Sequence, residues 1–301
     1  MRGRQRRVIA AVLLLGIGGL LVTACGDDDD SAAGDAKPPV YKITATETGE
    51  DSFSFVVPSD IEGGVVTFEL VSAASNKATH DFQLLRLEEG HTIDEVANTA
   101  ASEDEPVPTW IEHAAGVGSV APGQTVRATV ELEPDTEYGF FCTESTEPEE
   151  EGGEAVSHAA HGMKGTFTTG DDSGAEMPEA TATVVASEYT FEMDGFTAGA
   201  NTVKVTNGGE HLHHVLWLPI AEGKTFEDAK AALTSEQEPE GPPPVDFEKG
   251  VFTAVFGHGD SGIVEVDLPA GDYAVICFMP DQGTAGPPHV AKGMIKELVV
   301  S

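Results

Sequence analysis

Basic residues are scarce in this chain: 16 Lys+Arg stand against 52 Asp+Glu, a formal charge of -36 over 301 residues. Four of the 16 (Arg2, Arg4, Arg6 and Arg7) lie in the first 25 positions, where there is no acid, so the balance beyond them is 12 - 52 = -40. A field of that sign repels phosphate backbones, which excludes nucleic acid as a partner. Cysteine is scarcer still, and 3 residues cannot make a disulfide scaffold. Trp (2) and Tyr (4) are few, yet 14 Phe and a 40% hydrophobic content suffice for a core. One long apolar run exists, from Val8 to about Leu21. What abounds is Gly (34) and Pro (18), which favours many turns over long helices.

Residues 1–25 combine four arginines, that apolar run and small residues ahead of Cys25. This is the layout of an export signal, too short and wrongly flanked for a lasting membrane span. Val22-Thr23-Ala24-Cys25 resembles the lipobox of bacterial lipoproteins, which implies lipidation at Cys25 and a place on the outer face of the cytoplasmic membrane, in the periplasm or at the cell surface. Residues 26–39, beginning GDDDDSAAGDAKPP, have nothing to bury and read as a disordered acidic tether.

The remainder divides at 170–179 (GDDSGAEMPE), a linker-like stretch. Segments 40–169 and 180–301 look alike: alternating strand-like residues, a β-rich run (VVTFELV, TVKVTN), a short helix and a strand leading into Cys (TEYGFFC, GDYAVIC). Thr92-Ile93-Asp94-Glu95 has capping-box form, and Thr225-Phe226-Glu227-Asp228 repeats it loosely. The expectation is an all-β chain of two tandem sandwiches.

Four positions recur most sharply. His80, Cys142, His158 and Met163 map onto His213, Cys277, His289 and Met294, with offsets of 133, 135, 131 and 131. Two imidazoles, a thiolate and a thioether are the donors of a blue-copper centre, with the thioether weak and axial, whereas zinc rarely takes a thioether. Asn207-Gly208-Gly209-Glu210-His211-Leu212-His213, and the His-x4-Met loops with Gly before Met (His289 to Met294, His158 to Met163), resemble the cupredoxins, the plastocyanin and azurin family. The resemblance implies two Greek-key sandwiches, each with a helical insertion and up to one type 1 copper, and a one-electron carrier served by a redox partner. The acidic surplus reads first as a solvated surface of an exported protein, and it would also suit a basic partner.

The chain departs from the small cupredoxins in its Cys-to-His gaps, 11 residues in the second half and 15 in the first. Longer gaps and a Pro-x-His-Val-x-x-Gly-Met run, like Pro287 to Met294, resemble copper nitrite reductases. Those enzymes place a His before the type 1 Cys, where this chain has Phe141 and Ile276, and its one His-x-His pair is His211-x-His213. The first half lacks the Asn-x-Gly run, offering Ala74-Ser75-Asn76, and its loop carries Glu144, Glu147, Glu149, Glu150, Glu151 and Glu154. Alternatives at the residue level are His211 or His214 for His213, His161 for His158, plain core roles for Met163 and Met294, and structural or disulfide-bonded Cys142 and Cys277. His91, His113 and His258 have no repeat partner and read as surface residues. Copper capture and delivery, a nitrite-reductase-type oxidoreductase and a copper-free sandwich are the competing functions.

Overall fold

The computed structural model describes residues 36–49, 52–100, 105–146, 155–235 and 241–301. Cys25, the export segment, most of the tether and five of the six loop glutamates lie outside them. All the described residues fall in one compact unit.

The chain is all-β with two short helices among the described residues. The first half runs β1 (Val40–Gly49), β2 (Ser52–Val56), β3 (Gly64–Ser72), β4 (His80–Arg86), α1 (Ile93–Ala100), β5 (Ala114–Val120), β6 (Thr125–Leu132), β7 (Glu137–Phe141), β8 (Ser145–Thr146), β9 (Val156–Ser157) and β10 (Lys164–Thr168). The second runs β11 (Ala182–Ser187), β12 (Thr190–Asp194), β13 (Gly199–Asn207), β14 (Leu216–Pro219), α2 (Phe226–Leu233), β15 (Val251–Phe252), β16 (Ser261–Leu268), β17 (Gly271–Ile276), a 3-10 turn (His289–Lys292) and β18 (Ile295–Val300).

Strand alternation decides which face is buried. In β3, Val66, Phe68 and Leu70 point into the core while Thr67 and Glu69 stay partly wet; β13 does the same with Val203 and Val205 around exposed Lys204. Phe68 and Phe82 are fully buried, and each such side chain withdrawn from water contributes about 1.5–3 kcal/mol. Both helices start at the expected caps: Thr92 N donates to Glu95 Oε2 at 2.8 Å, and Asp228 N donates to Thr225 Oγ1 at 3.2 Å.

The repeat extends to topology. One sheet has the order β2-β1-β3-β6 in the first half and β12-β11-β13-β16 in the second; the other is β5-β4-β7-β10 and then β15-β14-β17-β18. The two halves share a sheet, because β6 pairs antiparallel with β16 and makes one eight-stranded sheet. β16 lies 261 - 125 = 136 positions after β6, and Ala128 pairs with Val264, which is 128 + 136. Ala128 meets its own counterpart and the pairs beside it are mirrored about it (Thr129 with Ile263, Val130 with Gly262), so the halves are related by a pseudo-twofold through that pair. Residues 170–179 carry no regular structure beyond an isolated bridge of Asp172 to Gly63.

At the second contact between halves the chain requires glycine. A Cβ on Gly118 in β5 would sit 1.7 Å from Phe252 O across the seam; one on Gly116, at φ +136°, would sit 2.1 Å from Phe82 O in its own half and 3.2 Å from Ala254 Cβ in the other. The backbones of β5 and β15 approach too closely for any side chain.

Candidate metal centres

His80 opens β4 and His213 lies just before β14, bridged to Phe256, while Cys142 and Cys277 directly follow the neighbouring strands β7 and β17. Pairing of Phe141 with Lys164, and of Ile276 with Ile295, places Cys142 beside Met163 and Cys277 beside Met294 at the next register position. Met163 N and Met294 N each accept their place by donating to the carbonyl of the loop histidine, His158 O and His289 O, both at 2.9 Å. Those tight turns need a left-handed residue just before Met, which explains the glycine of both loops: Gly162 has φ +109° and Gly293 φ +102°.

Three donors converge in each half: His80, Cys142 and His158; and His213, Cys277 and His289, with ligand atoms within 4.8 Å of one another. Cys142 Sγ lies 3.9 Å from His80 Nδ1 and 3.6 Å from His158 Nδ1. Cys277 Sγ lies 3.8 Å from His213 Nδ1 and 3.6 Å from His289 Nδ1, and the two Nδ1 atoms are 3.1 Å apart. All six residues are at most 1% exposed, and Met163 and Met294 are fully buried. Donors this far apart suit ligands about 2.0–2.3 Å from one shared ion.

The outer imidazole nitrogens are held as ligands require. His80 Nε2 faces Glu47 Oε1 at 3.2 Å, His158 Nε2 bonds Thr146 Oγ1 at 2.8 Å, and His289 Nε2 bonds Asp281 Oδ1 at 3.1 Å. His213 Nε2 has no hydrogen-bond partner among the described residues, with Glu188 Oε1 at 4.0 Å. Phe53 stacks on the His158 ring at 4.0 Å.

A second tier pins the loops. Glu47 accepts from Lys77 N and Ala78 N at 3.0 and 2.9 Å, and Glu188 accepts from Glu210 N and His211 N in the same position of the repeat. Asn207 Nδ2 donates to His211 O and Phe256 O at 2.8 and 2.9 Å. Asn76 does the matching work without an Asn-x-Gly run, donating to Ala45 O at 2.9 Å. The residue after each first histidine grips the amide after each cysteine: Thr143 N donates to Asp81 Oδ1, and Phe278 N to His214 Nε2, both at 2.7 Å.

The histidine alternatives separate cleanly. His214 is that anchor and His211 packs 6.0 Å from the His289 ring, while His161 is exposed and bonds Ser157 O. Cys142 and Cys277 are free thiols. His258 is exposed, but His91 stacks on Trp110 at 4.3 Å and His113 meets Asp260 across the halves at 3.0 Å, so these two are not plain surface residues. Glu47, Glu188, Asp81, Asp281 and Thr146 escaped the sequence reading. The Glu47/Glu188 recurrence, near the ends of the matching strands β1 and β11, was the available signal.

Burial, then the neighbouring histidine, lowers the pKa of His158 and of His213 to about 4; burial also lowers His80 and His289. The imidazoles are neutral at pH 7, as ligands must be. Burial pushes the Cys277 thiol up to about 12 and raises Cys142 well above its ordinary value. Both thiols are therefore protonated at neutral pH, and metal uptake through the thiolate would release one proton per site. For the metal-free fold, unfolded histidines take protons below about pH 6.5 while the buried ones refuse them until about 4. The unfolded state then binds more protons, and stability falls as pH drops through that window, by about 1.4 kcal/mol per pH unit per histidine. Denaturant midpoints of metal-free protein at pH 7 and pH 5 check this; equal midpoints contradict it.

Soft sulfur with two nitrogens and a nearby thioether, buried and duplicated, is a donor set that fits type 1 copper, and it supports copper binding at up to two sites. The fold and donor sets are similar to those of cupredoxin-like copper-binding β-sandwiches. No family profile and no curated protein matches the chain. Among solved structures it is similar to a copper nitrite reductase from Nitrosomonas europaea (14% identity, 88% of this chain and 94% of that one, TM-score 0.26). It is also similar to auracyanin from Roseiflexus castenholzii (22%, 44% and 98%, 0.28) and to auracyanin A, a "blue" copper protein from Chloroflexus aurantiacus (18%, 44% and 98%, 0.30). The donor geometry, rather than these similarities, carries the copper reading. Among the described residues no helix is long and apolar enough to cross a membrane.

Proposed function

We propose that the protein is an exported, lipid-anchored electron carrier with one type 1 copper in each half. His80, Cys142, His158 and Met163 hold one ion, and His213, Cys277, His289 and Met294 the other. The carrying observation is the pair of buried His-Cys-His triads, each with its Met on the adjoining strand. Bound copper supplies a reversible one-electron couple. The protein fixes the donors from both sides through Glu47, Thr146, Asp281, Asp81 and His214, so the site has little rearrangement to make when the charge changes. Such enclosure favours transfer over copper capture and delivery, which needs an opening site. The acidic surface favours a basic redox partner, and Val22 to Cys25 favour anchoring at Cys25.

The two centres differ in the charge beside the cysteine, since the carboxylate at the second site, Asp281 on His289, is ion-paired with Lys292. Asp81 is 3% exposed and its carboxylate accepts from Thr143 N and from Gln83 Nε2, whereas its counterpart His214 is neutral, its pKa lowered to about 3 by withdrawal from water and the adjacent His213. Buried negative charge beside Cys142 stabilises the more positive oxidised state. Voltammetry of the copper-loaded protein should show two reversible waves, the lower one surviving in Cys277→Ser and moving up in Asp81→Asn. Absence of any reversible wave in protein carrying bound copper overturns the carrier reading and favours delivery.

A further inference from the structure

Asp81 and Gln83 lie two residues apart on one face of β4, and both are buried, Gln83 at 6% exposure. Gln83 Nε2 donates to Asp81 Oδ2 at 2.7 Å, and Gln83 Oε1 accepts from Val255 N, in the other half, at 2.9 Å. The next residue, Phe256, donates its N–H to His213 O at 2.8 Å and accepts from His213 N at 3.1 Å. On the other side Asp81 Oδ1 takes the Thr143 amide at 2.7 Å, directly after Cys142. The result is an unbroken bonded line from Cys142 to His213: Thr143 N, the Asp81 carboxylate, the Gln83 amide, Val255–Phe256, and the His213 carbonyl.

A glutamine that satisfies a buried amide at a seam is ordinary. Two observations set this one apart. The repeat does not need it, because the offset of the first histidines, 213 - 80 = 133, carries Gln83 onto Leu216, which has no polar side chain. The bridge was built once, between the cysteine of one site and a histidine of the other. The direct way across is also poor: Phe141 and Thr143 face Leu212 and Met279 over a largely apolar hollow of about 330 Å³, with Gln83 and Val255 in its wall. Electronic coupling decays faster through empty space than along covalent and hydrogen bonds, so the bonded way around the hollow is the effective one.

We propose that Gln83 couples the two metal centres, so that an electron passes between them inside one chain. This rests on the two-copper reading. With copper held at both sites, the centre at Cys142 would give up one electron, Cu(I) becoming Cu(II), and the centre at His213 would take it, Cu(II) becoming Cu(I). No bond breaks in the transfer. The carboxylate beside Cys142 sets the direction, toward the His213 site.

The test is the copper-loaded Gln83→Leu protein, given less than one equivalent of a one-electron reductant in a fast pulse and followed through the thiolate–copper bands. In the unaltered protein the bands re-equilibrate at a rate independent of protein concentration; in Gln83→Leu that rate falls severalfold while both thiolate–copper bands persist. Gln282→Leu is the control: it loses bonds across the same seam, to Pro108 O and Ile111 O at 2.9 and 2.8 Å, off the line, and keeps the rate. An unchanged rate in Gln83→Leu, or equal slowing in both variants, overturns the proposal. If Gln83→Leu does not fold, Cys277→Ser answers instead: Cu(I) added to its remaining site shifts the Val255 amide resonance, and an unmoved Val255 overturns the bridge. Missing thiolate–copper bands before any pulse would reject the two-copper reading itself, a failure seen separately.

Discussion

Cys277→Ser removes one of two thiolate–copper absorption bands and leaves the other intact, and Cys142→Ser removes the complementary one. The thiolate is the single soft anionic donor in each set, so serine offers the metal only a harder, protonated oxygen. Copper affinity at the altered site falls at least tenfold, about 1.4 kcal/mol, and the loss is local, since each triad is built from its own half. The fold survives: both cysteines are fully buried and unpaired, and serine is nearly isosteric. Optical titration with Cu(II), with circular dichroism as the folding check, reads the result. Loss of both bands from one substitution would mean a single shared site.

Gly118→Ala is the substitution with the largest expected effect on the fold. Its Cβ would meet Phe252 O at 1.7 Å and Phe252 C at 2.7 Å, backbone atoms with no rotamer to yield. The seam must open, at a cost of about 3 kcal/mol or more, the upper end of overpacking. Val255 stands three residues beyond Phe252, so the Gln83 bridge goes with it. Denaturant unfolding measures the loss; a midpoint unchanged from the parent contradicts the close approach of β5 and β15.

The ligand sets were legible because metal chemistry restricts residue type and order so sharply that a duplicated His, Cys, His, Met pattern stands out. Helix starts were legible for a similar reason, since Thr92 and Thr225 are local signals satisfied three residues away. The pairing of β6 with β16 was not, because Thr125–Leu132 alternates like any half-buried strand and nothing in it names its neighbour. Gly116 and Gly118 did carry the trace of the seam, but a glycine shows only that something comes close, never what. Asp81 and Glu47 read as solvated charge, since burial beside a ligand is a property of the fold. Asn76 shows the converse: its loop lacks the family's run, yet it makes the same kind of bonds as Asn207.

The most direct measurement is X-ray absorption at the copper edge on the purified protein, with the metal counted per chain. The account predicts two coppers per chain, each with one short sulfur and two imidazole nitrogens. Copper bound without a sulfur neighbour would contradict it.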